Sequence, residues 1–155
     1  MEFWRGSARP TSSDEAATRA EGDRPRLVID TEVFLMAVRT PQSACRRVLE
    51  AVGDGRAELL VDPVVFGEYR QRLQRDLHSR DEQSLSRSWI SRAEAVPANG
   101  RSMQRTGQHD KFVALALAGK ADAIVSNDEH RLRLRNRLDI PVLRPDEAVR
   151  MIGGR

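Results

Sequence analysis

Lysine is nearly missing from this chain: apart from Lys111 and Lys120, every basic side chain is an arginine. Cysteine is scarcer still. The single Cys45 excludes an internal disulfide, and no basic-then-apolar leader opens the sequence, so a reducing cytoplasm is the expected setting. No apolar run approaches the roughly 20 residues of a spanning helix, so no membrane association is expected. The three histidines, His78, His109 and His130, are scattered on polar segments. Surface placement is their ordinary fate, although His109 stands beside Asp110 and within reach of a phosphate there. No His or Cys cluster offers a zinc or iron ligand set.

What is present suits one domain. The chain has 155 residues and 39% apolar content, enough to bury a core without disulfides or structural metal. The sequence pI near 9.7 and net charge of +3 permit a polyanionic partner without proving one. Arginine's rigid fork suits phosphate, yet a GC-rich genome writes the same bias by default.

Residues 1–25 are Ser, Gly, Ala and charge with no stable period after Phe3 and Trp4, which reads as a disordered or loosely attached arm. The folded domain is expected over residues 26–155. Leu27, Val28 and Ile29 form a β-branched run ending on Asp30, as a buried parallel strand does. Ala44, Cys45, Val48, Leu49 and Val52 share one helical face, with a glycine stop at Gly53 and Gly55. Residues 58–61 read as a second strand, followed by Asp62 as a helix cap and Pro63 as a first helical position. That helix runs towards Leu77.

Between His78 and Gln108 the pattern supports one helix around Leu85, Trp89, Ile90 and Ala93, then a mobile loop broken at Pro97 to Gly100. Asp110 to Ala118 reads as an apolar helix ending at Gly119, feeding a third strand through Ala123, Ile124 and Val125 that finishes at Asn127 and Asp128. A helix over Arg131 to Leu138, a fourth strand at Val142 and Leu143, and a last helix over Pro145 to Ile152 complete the reading. Short apolar strands alternating with helices indicate an α/β fold, a parallel sheet covered on both faces. Ligands of such sheets bind outside the carboxyl ends of the strands, where the strand order reverses.

Acidic residues collect at that edge. Asp30 and Asp128 each end a strand, Glu68 lies about a turn and a half into the helix leaving the second strand, and Asp110 opens the helix feeding the third. Two carboxylates about 4 Å apart repel by roughly 4 kcal/mol at an effective dielectric near 20. Protons or cations must intervene, and a hard divalent ion, Mg2+ or Mn2+, is the natural remedy for an all-oxygen set. One or two such ions activate water for in-line attack on a phosphodiester, with Asp128 or Glu32 as the candidate helping base.

The stretches Arg26-Leu-Val-Ile-Asp-Thr-Glu-Val-Phe-Leu, Glu68-Tyr, Asp110-Lys-Phe-Val-Ala-Leu-Ala and Ala121-Asp-Ala-Ile-Val-Ser-Asn-Asp resemble, in order and spacing, the successive motifs of PIN-domain proteins. Among these the chain is most similar to the VapC-like ribonuclease toxins of bacterial toxin–antitoxin pairs, over roughly residues 26–152. The resemblance implies a three-layer fold with a central, mostly parallel sheet of four or five strands flanked by helices. It also implies a Mg2+- or Mn2+-dependent endoribonuclease, with Asp30, Glu68, Asp110 and Asp128 as catalytic and metal-binding residues, an antitoxin partner and a homodimer. Two positions depart from the family pattern: Glu32 stands where Asn is usual after Asp-Thr, and Ser126-Asn127-Asp128 where Thr-Gly-Asp is usual.

Each residue also has an ordinary reading. A lone Asp after a strand is usually a helix cap, and a helical glutamate such as Glu68 is usually solvated or paired at i+4, here with Arg72. Ser126 would orient a phosphate oxygen or simply end its strand. Arg46, Arg47, Arg131 and Arg133 would grip an RNA backbone or only solvate helix faces. Cys45 reads as a small core residue, and Leu73 and Leu77 suit either a core or an interface. Two other functions stay open: a catalytically inactive PIN module that binds RNA or a protein partner, with Glu32 as the spoiling feature, and a phosphatase-like domain with Asp30 as nucleophile. The latter chemistry wants a second Asp two residues on, where this chain has Glu32.

Overall fold

The computed structural model describes residues 24–97 and 110–153. Of the expected N-terminal arm only Arg24 and Pro25 fall within these residues, and both bind Glu58, through an ion pair at 3.1 Å and a backbone hydrogen bond at 2.8 Å. The expected mobile loop falls, after Pro97, outside the described residues, as does His109.

The first two strands are short buried runs, each followed by an aspartate that caps the next helix. Strand β1 (Arg26–Ile29) is buried throughout, and Asp30 turns the chain into α1 (Thr31–Arg39) by accepting the Val33 amide at 3.0 Å. Ser43 caps α2 (Ala44–Gly53), which buries Cys45, Val48, Leu49 and Val52, the face expected from their spacing. Strand β2 (Glu58–Val61) leads to Asp62, whose carboxylate caps α3 (Pro63–Asp76) with Pro63 at its start. Ser79 caps α4 (Arg80–Ile90), and a two-residue strand β3 (Glu94–Ala95) follows. Asp110 caps α5 (Lys111–Gly119), which feeds β4 (Ala123–Val125). Asp128 caps the single turn α6 (Glu129–Leu132), and β5 (Val142–Leu143) and α7 (Pro145–Gly153) close the fold.

All strand pairs are parallel, in the order β3-β2-β1-β4-β5. Helix α5 packs on β1, β2 and β4, and α7 on β4 and β5, while α1 packs against α2, α3 and α4. The core joins these layers around Leu27, Ile29, Phe34, Leu60, Leu115 and Ile124. From β1 the chain builds outward on one side to β2 and β3, then returns to the other side for β4 and β5. The order therefore reverses between β1 and β4, the crevice where a parallel sheet offers a ligand site.

Three expectations need correction. The helix read through Ala93 ends at Ile90, and the residues after it form β3. This strand is too short for any periodicity, and its Glu94 is buried only because Arg26 forms an ion pair with it and with Glu58, the latter at 3.3 Å. The helix read over Arg131 to Leu138 divides into α6 and a 3-10 turn over Arg133–Asn136. Third, β4 ends at Val125, short of Asn127 and Asp128, because the Ser126 amide makes the last bond to the neighbouring strand, at 2.9 Å to Leu143, and the Asp128 amide turns to the Ser126 hydroxyl; α5 does end at Gly119, with Lys120 left-handed after it at φ 54°. Leu73 and Leu77 both belong to the core.

Gly119 is glycine for a different reason. A Cβ there would lie 2.9 Å from Leu60 Cδ1 and 3.1 Å from Val96 Cγ2. The missing methyl lets α5 settle on the sheet and so fixes the height of Asp110 at the other end of the helix. Gly119→Ala is expected to destabilise the protein by about 1–3 kcal/mol through overpacking. Urea denaturation checks this; an unchanged midpoint would show that Leu60 and Val96 yield freely.

Candidate active site

The carboxyl edge of the sheet at the β1/β4 crevice gathers three aspartates with one local rule behind all of them. In each, Oδ1 caps a helix: Asp30 for the Val33 amide at 3.0 Å, Asp110 for Phe112 at 2.8 Å and Val113 at 3.3 Å, and Asp128 for His130 at 2.8 Å. Capping satisfies amide groups that the helix cannot bond itself. It also fixes each carboxylate plane and leaves Oδ2 for something else.

That something else is a single guanidinium. Arg131 Nε donates to Asp110 Oδ2 at 2.7 Å, and Arg131 Nη1 donates to Asp30 Oδ2 at 3.0 Å and to Asp128 Oδ2 at 3.5 Å. The Arg131 side chain is 17% exposed, and its guanidinium carbon lies 4.7 Å from the centre of the Phe112 ring, a cation–π arrangement. Two segments far apart in the sequence are thereby locked to α6.

Glu68 stands beside this trio and is not joined to it by Arg131. Its carboxylate accepts a hydrogen bond from Thr31, the residue after Asp30, and pairs at 2.8 Å with Lys111, the residue after Asp110. Tyr69, its neighbour on α3, is fully buried and donates to the carbonyl of Ile29, tying α3 to the end of β1. The i+4 pairing of Glu68 with Arg72 expected from helical spacing is replaced: Arg72 binds Glu32 at 2.6 Å and Asp76 at 3.2 Å. Glu32, at 67% exposure, is thus drawn to α3, and its charge is answered locally.

The other named residues divide clearly. Ser126 is fully buried, donates to Asp30 Oδ2 and accepts the Asp128 amide at 3.0 Å. A hydroxyl so engaged positions two aspartates and does not face a substrate. Arg46 is spent on the carbonyls of Ala37 and Val38 at the end of α1, at 2.6 and 3.2 Å, so it is a structural cap and not an RNA grip. Arg47 and Arg133 are exposed, as are His78 and His130. Cys45 is buried, and burial, aided by the charge of Asp30, pushes its thiol up to about 11, which leaves it inert.

Burial also pushes the Asp30 carboxyl above its usual range, against the opposing hydrogen bonds from Ser126 and Val33 and the charge of Arg131. For Glu68 the balance reverses: burial raises it, but the hydrogen bonds from Lys111 and Thr31 and the charges of Lys111 and Arg72 outweigh this and hold it below the usual range. The chain therefore supplies internal cations to its own acidic cluster, where the sequence reading had looked to a divalent ion. Among the described residues the cations within ion-pair distance of these four carboxylates are Arg131 and Lys111, with Arg72 acting on Glu68 from farther off, so at full ionisation the four negative charges exceed the two paired positive ones by two.

Among the described residues no three acidic, histidine or cysteine side chains form a ready cage for a metal ion. The donor chemistry nevertheless fits a hard divalent ion. Three carboxylate oxygens, each with its partner oxygen anchored, are directed at one small cation-filled point, and Mg2+ and Mn2+ favour oxygen donors.

The family model described as "PIN domain" matches residues 26–130 of the chain. Among solved structures, a chain of "Crystal structure of VapBC2 from Rickettsia felis bound to a DNA fragment from their promoter" is similar with a TM-score of 0.53 and 14% identity, over 77% of this chain and 98% of that one. At that identity the likeness is one of fold. Among curated proteins no sequence match is found.

The ion pair of Glu68 carries a pH signature. A carboxylate held below its unfolded value adds stability that is present above that value and is lost as pH falls through the folded one; Asp30, held above, has the opposite sign. With chelator present, Glu68→Gln is expected to lose about 1 kcal/mol near neutral pH. The gap to wild type should close as the pH is brought well below the ordinary glutamate range. A gap independent of pH in denaturant titrations would show that packing, not charge, is what the substitution removes.

Proposed function

The chain belongs to the PIN-domain family, and we propose that it is a metal-dependent endoribonuclease that hydrolyses RNA phosphodiester bonds with Asp30, Glu68, Asp110 and Asp128. The observation that carries this reading is the meeting of three anchored aspartates, through their free oxygens, at the reversal point of the parallel sheet. Asp30, Asp110 and Asp128 would hold Mg2+ or Mn2+, with Glu68 alongside. Such an ion, when bound, supplies an activated water at neutral pH and charge neutralisation at the phosphodiester.

The rest is done by the chain's own residues. Ser126 keeps Asp30 and Asp128 in register, and Thr31 and Lys111 hold Glu68 ionised and aimed at the same edge. Burial of Asp30 beneath the crevice excludes bulk water from its side of the site. Beyond α6, Arg135 and Arg144 are taken by Glu147 and Glu129, at 2.6 and 3.1 Å. Arg133 and Arg137 are exposed and, among the described residues, have no ion-pair partner, so they are the cations left for an RNA backbone.

The protein would act as the toxin of a toxin–antitoxin pair. The likeness to a chain of VapBC2, a structure bound to DNA from their promoter, supports a protein partner of the antitoxin kind. No helix among the described residues is long and apolar enough to cross a membrane, and a cytoplasmic setting accords with the single buried cysteine. A second reading, a catalytically inactive PIN module that binds RNA or a protein, draws on the occupation of the aspartate cluster by Arg131. Glu32 argues for it less than its identity suggests, because Arg72 neutralises it.

Incubating the purified chain with single-stranded and structured RNA under Mg2+ or Mn2+ separates the readings. Cleavage is expected, abolished by chelator and by Asp30→Asn. Cleavage that persists under chelation rejects the proposal, and RNA binding without turnover under any divalent ion selects the inactive module. In the same binding assay, Arg133→Ala and Arg137→Ala should each reduce the slope of log affinity against log salt by about 0.7, as expected for one single-strand phosphate contact.

A further inference from the structure

We propose that Arg131 is a tethered counter-cation that competes with the divalent ion for the free oxygens of Asp30, Asp110 and Asp128, so that metal loading requires its guanidinium to leave. The inference rests on the metal-binding reading above and adds a property of this chain to it.

The geometry allows little else. Each aspartate commits Oδ1 to a helix cap and has Oδ2 to offer a ligand, that of Asp30 while also accepting a hydrogen bond from Ser126. Arg131 contacts all three Oδ2 atoms, so a cation directly bound by these oxygens and the guanidinium claim the same lone pairs. A capping carboxylate cannot rotate to serve both without giving up its helix amide groups. Release of the arginine side chain is the smaller change.

Several features make that release local. Arg131 sits on the single turn α6, which runs into the 3-10 turn over Arg133–Asn136, and not on one of the long helices. Apart from the carboxylates, the contact that holds the guanidinium is the face of Phe112. Charge favours the exchange: with the guanidinium gone, Lys111 leaves three of the four negative charges, and a divalent ion offsets two of these where the guanidinium offset one, spread over a plane.

Competition and simple support predict opposite signs. If Arg131 is a competitor, removing it tightens metal binding while weakening the metal-free fold; if it only holds the ligands in place, removing it weakens both. Mn2+ binding to the full chain, measured by calorimetry and by the loss of the free-ion electron paramagnetic resonance signal, is expected to be about tenfold tighter for Arg131→Ala than for wild type, or 1.4 kcal/mol. Its metal-free melting temperature should fall. Arg131→Lys keeps the charge but not the planar fork that bridges three carboxylates, and should lie between.

A folded Arg131→Ala that binds Mn2+ no more tightly than wild type overturns the inference while leaving the metal reading intact. Mn2+ bound by neither wild type nor the folded variant defeats the metal reading and the competition together. Should the alanine variant not fold, wild type decides: the Arg131 Nε proton, bonded to Asp110 in the metal-free protein, should lose its protection from exchange on titration with Mg2+. Protection retained at saturating Mg2+ overturns the inference.

Discussion

Helix capping at one edge of a parallel sheet is the constraint on which the rest of this molecule depends. Every strand here runs the same way, so the helices that follow β1, β2 and β4 start at the same edge, and each start exposes amide groups that need an acceptor. Aspartate answers that need with one oxygen. Asp30 does so directly after β1 and Asp128 three residues beyond the end of β4, and Asp110 does so at the head of α5, which runs back along the sheet to feed β4. The second oxygen of each is a by-product of the local rule. Because the strand order reverses between β1 and β4, three such by-products meet there, and a cluster of charge arises from ordinary secondary-structure chemistry.

A cluster of this kind must be neutralised in every state it visits. Burial raises Asp30, which means that its charge already costs the fold something, and the ionised neighbours Asp110 and Asp128 would add to that cost without a cation between them. The fold meets the cost with two side chains placed differently. Lys111 follows Asp110 on the same helix and serves Glu68, whereas Arg131 reaches back from α6 to span three carboxylates. Arginine suits that second task because its donors fan out in a plane, where an ammonium is a compact point charge.

These partnerships explain what could and could not be read from sequence. The aspartates were legible because each closes an apolar run or opens an apolar helix, a pattern held within a few residues; the caps at Asp62 and Pro63 were visible for the same reason. Strand β3 was not, since two residues carry no period and Glu94 looks like a surface residue until Arg26, far away in the chain, is seen beside it. Arg131 was visible as a possible RNA contact, but its place among the aspartates was hidden. In a chain whose basic residues are nearly all arginine, one more arginine carries no signal, and two of its three partners, Asp30 and Asp110, lie 101 and 21 residues away. Helical spacing pointed Glu68 to Arg72, but spacing along one helix cannot weigh a competing carboxylate from α1.

That competition also bears on the departure at position 32. An added carboxylate near an acidic site would ordinarily raise its field, disfavouring ionisation of every neighbour. Here the added charge is exposed and held at 2.6 Å from Arg72, which pairs in turn with Asp76. Arg72 thus gives its ion pairs to Glu32 and Asp76 and acts on Glu68 only through its charge, while Glu68 pairs directly with Lys111. With Lys111 engaged there, Arg131 is the cation within ion-pair distance of Asp30, Asp110 and Asp128 among the described residues.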